Sequence, residues 1–453
     1  MNEKEIAQIE EQTQEEFVKL LENPDFDFKL HTFDKELIDS LFQYYDLVIS
    51  YLFEGETKNL KLLSKCKYFL LSPKSWIKKR FLNDTNLKEY LTNFPKKFKE
   101  KHHTIRLAYS MILESFLKTK DFSINTDFAS AELFENLISV CDFNTSYELL
   151  EKLITDDNQK ISYYLIGIHF SDILSKYLIG DKILNFNVQK LFNLLVNNNW
   201  ENYVADSLTK DALFIQFLNS TFERPNVYQN FDFILKIYKH STRYPHISNW
   251  KTLNITIASR MKDFRSIVQK TQNWCMTANI SLHIINEYLL YTKKCTQSDK
   301  NILFDLVEKF FSMPRCTILH LSTLSFLKTL DLLNCLDEET IRQSHLVTHI
   351  VENYKMRENQ VVYAYWGPIR KMSEIVAAYV NKKDLSEWDL IVSAKNKEIQ
   401  EILGEEEMVS QKQSWIQKYL DSIPFAKNLP PSVIYGICAV YLIVVIYFIY
   451  TFF

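Results

Sequence analysis

The chain has 453 residues with 53 Lys and Arg against 56 Asp and Glu, a formal net charge of −3. That near balance lacks the basic footprint of a general nucleic-acid binder. Its six glycines (Gly55, Gly167, Gly180, Gly367, Gly404 and Gly436) lie far apart, which excludes phosphate loops and dinucleotide fingerprints. Its seven cysteines are odd in number, scattered and without a CxxC pair, which excludes a disulfide framework and suits a reducing compartment.

Few glycines and prolines beside abundant Leu, Ile, Lys, Glu and Phe point to an almost wholly helical chain. The N-terminus is charged and has no apolar core segment, so no signal peptide is expected. Residues 1–22 read as an acidic amphipathic helix with Ile6, Ile9, Phe17, Leu20 and Leu21 on its apolar face, ended by Asn23-Pro24. A helix at 34–53 carries Leu37, Leu41, Tyr44, Val48 and Leu52 at helical spacing. Pieces at 57–70 and after Ser72-Pro73 follow, the proline suiting a first turn. Phe94-Pro95 breaks the pattern before a helix at 102–117.

A regular rhythm then sets in. Helical windows fall at 129–140, 144–155, 158–178, 186–197, 208–221, 230–240, 250–270, 277–293, 298–312, 316–334, 337–355, 368–381 and 386–403. Short gaps between such windows are the mark of stacked helix pairs. Thr145 with Glu148, and Ser386 with Asp389, have capping-box spacing. The loosest connections are 223–229 and 241–249, which hold Pro225 and Pro245.

Residues 401–429, with Glu405-Glu406-Glu407, read as a stalk. Within it Trp415, Ile416, Tyr419, Leu420 and Ile423 could form a helix lying on a membrane surface. From Asn428 to Phe453 no residue is charged. About 22 helical residues at roughly 1.5 Å rise reach about 33 Å, enough for a hydrocarbon core of roughly 30 Å. Val433, Ile434, Val440, Leu442, Ile443, Val444, Val445, Ile446, Phe448 and Ile449 supply the apolar surface. Tyr435, Tyr450, Phe452 and Phe453 suit the interfacial aromatic belts. The expectation is a tail-anchored protein facing the cytosol. With no basic residue after the span, the endoplasmic reticulum is favoured over the mitochondrial outer membrane or peroxisome. In the cytosol the sequons at Asn83, Asn144, Asn219, Asn254 and Asn279 stay unused.

Few residues stand in the spacing of a chemical site. His345 and His349 have i,i+4 spacing, but no glutamate follows His345 as in a zinc protease helix, so they read as exposed polar residues. His102-His103 reads as a solvated helix start and Cys141 as a small core residue. The chain is not expected to be an enzyme or to hold a cofactor or metal. Two charged features remain. Lys74, Lys78, Lys79 and Arg80 flank Trp76, and Lys96, Lys97, Lys99 and Lys101 follow; together they could form a basic patch for an acidic partner or anionic lipid. The acidic N-terminal helix could serve as a docking element.

Three stretches carry a family resemblance. Phe134-Glu-Asn-Leu-Ile-Ser-Val-Cys-Asp-Phe-Asn-Thr-Ser-Tyr-Glu-Leu-Leu-Glu-Lys-Leu-Ile154 resembles the helix–turn–helix of the SAPS family. Phe69-Leu-Leu-Ser-Pro-Lys-Ser-Trp-Ile-Lys-Lys-Arg-Phe-Leu82 is similar to the leucine-rich segment upstream of it. Gly367-Pro-Ile-Arg-Lys-Met-Ser-Glu-Ile-Val-Ala-Ala-Tyr-Val380 is similar to that family's G-x-x-R segment, although one residue short. The family's tryptophan-leucine after the first pattern is absent, and the family as a rule lacks a tail anchor. The resemblance implies a helical-repeat regulatory subunit that places the catalytic subunit of a type-2A-related serine/threonine phosphatase.

The combined expectation is all-α: an armadillo- or HEAT-like solenoid over 1–400, a stalk over 401–429 and an anchor over 430–453. Such a chain would be a non-catalytic scaffold. Its partner would be that phosphatase or, alternatively, an ATPase, coat or tether complex gripped by an organelle-biogenesis or tethering receptor.

Overall fold

The computed structural model describes residues 3–54, 60–118, 130–156, 159–180, 182–357, 366–380 and 388. Every regular element among them is a helix. The chain divides into two compact units, Met1–Ile302 and Leu303–Phe453.

The first unit opens with the 20-residue α1 (Glu3–Glu22), followed by shorter helices: α2 (Phe26–Thr32), α3 (Lys35–Gln43), α4 (Tyr45–Phe53), α5 (Leu60–Leu70), α6 (Ser75–Leu82) and α7 (Thr85–Asn93). A 3-10 turn, Phe94–Glu100, leads into α8 (His103–Leu117). Aspartates start two of them: Asp34 accepts from the Leu37 amide and Asp84 from the Leu87 amide, both at 2.9 Å. Such caps satisfy donors that a helix start leaves open.

Next come α9 (Ala131–Ser139), α10 (Asn144–Ile154), α11 (Gln159–Gly167), α12 (Phe170–Ser175), α13 (Lys182–Asn197), α14 (Glu201–Thr209) and α15 (Leu213–Glu223). The unit continues through α16 (Tyr228–Arg243), α17 (Ser248–Ser259), α18 (Met261–Lys270) and α19 (Met276–Thr292). Their contacts form two rows. α8 packs on α10, α10 on α13, α13 on α16 and α16 on α19; beside them α7 packs on α9, α9 on α12, α12 on α14 and α14 on α17. The rows are joined by α9 with α10, α12 with α13, α13 with α14 and α16 with α17. Each helix thus buries one stripe against its own row and another against the opposite row, and the apolar residues that do so form the core.

Side-chain amides and hydroxyls tie neighbouring layers by reaching backbone carbonyls across them. Asn136 donates to the Thr92 carbonyl at 2.8 Å, Asn187 to that of Cys141 at 2.6 Å, and Ser110 to that of Thr145 at 3.2 Å. At the end of the unit Arg265 donates to the fully buried Asp299 at 2.8 Å, and the same carboxylate accepts from the Thr296 amide at 2.8 Å.

Within the second unit, α21 (Thr317–Leu332) packs on α24 (Trp366–Val376), and α23 (Leu346–Arg357) packs on both α24 and the short α22 (Glu338–Gln343). The unit begins within α20 (Gln297–Ser312).

Several expectations change in detail. The windows 34–53, 158–178, 250–270 and 337–355 each hold two helices, parted at Tyr44, Ile168–His169, Arg260 and Ser344–His345. Helices α2, α7 and α14 were not anticipated, because none spans more than nine residues and short windows hold little periodicity. Phe94-Pro95 does end the α-helical pattern, and the break takes the form of the 3-10 turn before α8. Pro73 precedes α6 rather than sitting in its first turn. Thr145 does not cap: α10 starts at Asn144 and the Thr145 side chain is buried inside it.

The glycine poverty also has a structural counterpart. Phe33, His169, Asn199, Asp211, Ala212, Lys293, Asn334 and His345 all take left-handed backbone angles between φ 50° and 65°. Corners that would ordinarily use glycine are made here by other residues, among which Asn, Asp and His tolerate the conformation best.

Among the described residues no helix is long and apolar enough to cross a membrane. The expected anchor at 430–453, the stalk at 401–429 and the 386–403 helix lie outside the described residues, apart from Trp388.

Candidate interaction surfaces

The nearest approach to a catalytic cluster joins α12 to α14. Ser207 donates to Asp172 at 2.5 Å and its oxygen lies 2.8 Å from the Ser171 hydroxyl, while Lys210 lies 2.7 Å and His169 3.7 Å from Asp172. Burial pushes the Asp172 carboxyl up, but the hydrogen bonds from Lys210 and Ser207 outweigh it and hold the carboxyl below its ordinary value. The histidine meets the carboxylate rather than a serine, so the serine–histidine contact of a hydrolase triad is not formed here. The adjoining cavity is about 10 Å³, too small for a substrate. This cluster ties two helices together.

His345 sits in the left-handed link after α22 and is exposed, so it does not share a helix with His349. His349 stacks on Phe311 with ring centroids 4.8 Å apart and reaches Glu308 at 3.2 Å. No group of three His, Cys, Asp or Glu side chains suited to a metal occurs among the described residues. The His102 ring accepts from the Thr104 amide at 3.3 Å and so caps α8. Cys141 is fully buried and its thiol is pushed up by that burial, which disfavours the reactive thiolate. Of the sequons, Asn254 and Asn279 are buried.

The basic residues at and within α6, and those of the 3-10 turn after α7, disperse onto local partners. Lys78 donates to the Ser115 hydroxyl at 2.8 Å, and burial lowers its ammonium below the ordinary lysine value. Arg80 covers the Phe42 ring at 3.8 Å and Lys74 the Phe33 ring at 4.5 Å. Lys96 lies 3.5 Å from Glu132, and Lys97 lies 3.4 Å from Glu54. Lys79 and Lys99 are exposed, as is Trp76. The acidic helix α1 packs on α2 and α5, with Phe17 and Leu21 fully buried.

Two surfaces stand out instead. The first lies on successive helices of one row. α8 exposes Leu107 and Met111, four residues apart, and α13 exposes Phe186. Lys190 of α13 bridges the Phe186 ring at 4.2 Å and the Tyr147 ring of α10 at 5.4 Å. Further along, Lys239 of α16 pairs with Glu287 of α19 at 3.6 Å, and α19 exposes Leu290 and Tyr291. Apolar side chains interleaved with charge on consecutive helices make a surface suited to another protein.

The second is a cleft of about 810 Å³ between α2 and α5. Asp27, Leu30 and His31 form one wall, with Phe33 at its end; Lys61, Ser64, Lys65 and Tyr68 form the other. Both sets follow i, i+3, i+4 spacing, so each is one face of its helix. Leu71, Ser72 and Pro73 complete the lining. The seven residues of α2 carry too little periodicity to mark that wall in the sequence, whereas 61, 64, 65 and 68 share a helical face by spacing alone.

No family model matches the chain, and no curated protein matches it in sequence.

Proposed function

We propose that this chain is a non-catalytic scaffold that presents a helical body to a soluble protein partner while residues 430–453 hold it in a membrane. The observation that carries this reading is the pair of helix rows, whose successive helices expose apolar and charged side chains together. Continued over 1–400, such rows amount to a right-handed solenoid of paired helices, the architecture that offers one extended surface to a large ligand. Anchoring the body raises the local concentration of whatever it binds. The uncharged run from Asn428 to Phe453 supports the anchor, and the endoplasmic reticulum is the membrane this reading favours.

The partner we put first is the catalytic subunit of a type-2A-related serine/threonine phosphatase. Its support is the likeness of 69–82, 134–154 and 367–380 to the SAPS family. The second reading, a tethering or organelle-biogenesis receptor for an ATPase, coat or tether complex, is favoured by the uncharged terminal run, which that family as a rule lacks.

Affinity purification of the detergent-solubilised full chain separates the two. Okadaic-acid-sensitive phosphatase activity in the eluate, reduced in a Phe186→Ala/Lys190→Glu variant, supports the first. An ATPase, coat or tether complex reduced by the same variant supports the second. Turnover of a substrate by the purified chain alone overturns both.

A further inference from the structure

We propose that the cleft between α2 and α5 is a binding site for a short acidic peptide segment that also carries an aromatic or aliphatic side chain. The inference stands on the cleft alone and does not depend on the membrane or phosphatase readings.

Charge sets the first half of the ligand's character. Lys61 and Lys65 lie one helical turn apart on α5, facing His31 of α2. Asp27 is the only carboxylate among the lining residues. Lys65 donates to the Leu21 carbonyl at 2.6 Å and lies 4.8 Å from the Phe26 ring, so its ammonium is held in place beside the cleft. A preorganised cation next to the exposed Lys61 recognises carboxylates without first losing side-chain entropy.

The apolar lining sets the second half. Leu30, Phe33, Leu71 and Pro73 give the cleft surface that no inorganic anion could use, and Tyr68, 55% exposed, stands at its edge. Phe33 reaches its place from a left-handed residue at φ 57°, with the Lys74 ammonium over its ring. A phenylalanine keeps that conformation only where the surrounding structure fixes it. A volume near 810 Å³ between two helices accommodates several peptide residues. Its recessed apolar lining suits a chain that inserts a side chain better than the flat headgroup layer of a bilayer.

The test uses the purified full chain and a fluorescein-labelled decapeptide in which Glu and Asp alternate with Leu and Phe, followed by anisotropy. Saturable binding is expected, weakening as salt rises. Lys61→Glu is expected to weaken it by about tenfold through reversal of a facing charge. Tyr68→Ala should weaken it less, and Lys236→Glu, on a distant helix, should leave it unchanged. Lys61 and Tyr68 are exposed, and unchanged thermal unfolding of both variants will show that the fold persists. Three results overturn the proposal: no saturable binding, equal binding of a peptide with Gln and Asn in place of its acids, or equal binding by Lys61→Glu. Capture of the chain by phosphatidylserine vesicles, lost in Lys61→Glu while the peptide fails to bind, would assign the cleft to lipid and also overturn it.

Discussion

The region from α1 to α8 and the rows from α9 to α19 solve the same packing problem with helices of different length and with rings and polar bridges in different proportion. In the first, five helices of only seven to nine residues (α2, α3, α4, α6 and α7) lie among the longer α1, α5 and α8, and rings cement them: Phe53, Phe94, Phe98 and Tyr109 form a chain with centroids 5.0 to 5.4 Å apart, all of them buried. Phe42, Phe69 and Phe81 form another at 5.2 to 5.3 Å. In the rows, α13, α16 and α19 reach 16 and 17 residues; rings meet there too, as Phe217 and Phe233 do at 5.6 Å, and side chains such as Asn187 and Thr277 also stitch one layer to the next through backbone carbonyls. Short helices bury little periodic surface each, so large rings, which contribute 150–250 Å² apiece, must supply it. Long helices have surface to spare and can give some positions to polar bridges that fix register.

That contrast is sharpest at single side chains. Phe94→Ala removes a ring from the centre of its cluster and is expected to cost about 3–5 kcal/mol. Asn187→Ala, which leaves the buried Cys141 carbonyl without its donor, is expected to cost about 1–3 kcal/mol. Hydrogen exchange resolved along the chain will show whether each loss stays in its own region. Equal costs, or losses spread evenly over residues 3–292, would break the comparison.

Acid should act on the rows. Burial is the main cause that holds His240 and His283 below the ordinary histidine value, helped by Arg243 for the first and Lys239 for the second. Glu201 opposes the shift at His240 and Glu287 at His283. The folded chain therefore binds these protons less readily than the unfolded one. Their stabilisation is complete above the unfolded value near 6.5 and declines as pH falls through it towards the lower folded values. Thermal unfolding at pH 7.5 and 5.5 should show a smaller drop for the His240→Gln/His283→Gln variant than for the parent chain. An equal drop would refute the assignment.

Thiol labelling can time the opening of each region separately. Burial pushes the Cys66 thiol up to about 12 and raises Cys141 further, whereas Cys275 is exposed. A maleimide should label Cys275 at once. Cys66 then reports opening of the ring-packed region and Cys141 opening of the rows, and their rates should differ. Identical rates would mean that the two regions open as one.

The smallest effect concerns a corner. Lys293 ends α19 at φ 52° with its amide donating to the Leu289 carbonyl at 2.8 Å. Lys293→Gly should stabilise by about 1 kcal/mol, because glycine takes the left-handed conformation without steric cost. A fall in melting temperature would show that the Lys293 side chain contributes more than its backbone costs.

The sequence showed the helical class and several single helices plainly, because windows such as 144–155 and 298–312 bury one stripe at helical period. It hid corners that lack the usual signal. Nothing around Tyr44, Arg260 or His345 marks a break in the way glycine or proline does, so neighbouring helices merged in the reading. The basic run 74–80 was legible as charge, but its fate depended on partners distant in sequence, such as Ser115 for Lys78 and Phe42 for Arg80. The cleft was half legible: the face made by Lys61, Ser64, Lys65 and Tyr68 follows from spacing, whereas the opposing wall belongs to a seven-residue helix.

The proposal that a helical body works while held at a bilayer by its last residues is tested most directly by alkaline carbonate extraction joined to protease treatment of intact membranes. The full chain should remain in the membrane pellet with an N-terminal epitope digested from the cytosolic side, and the chain without residues 428–453 should move to the supernatant. Release of the full chain by carbonate, or protection of its N-terminus from protease, would contradict the proposal.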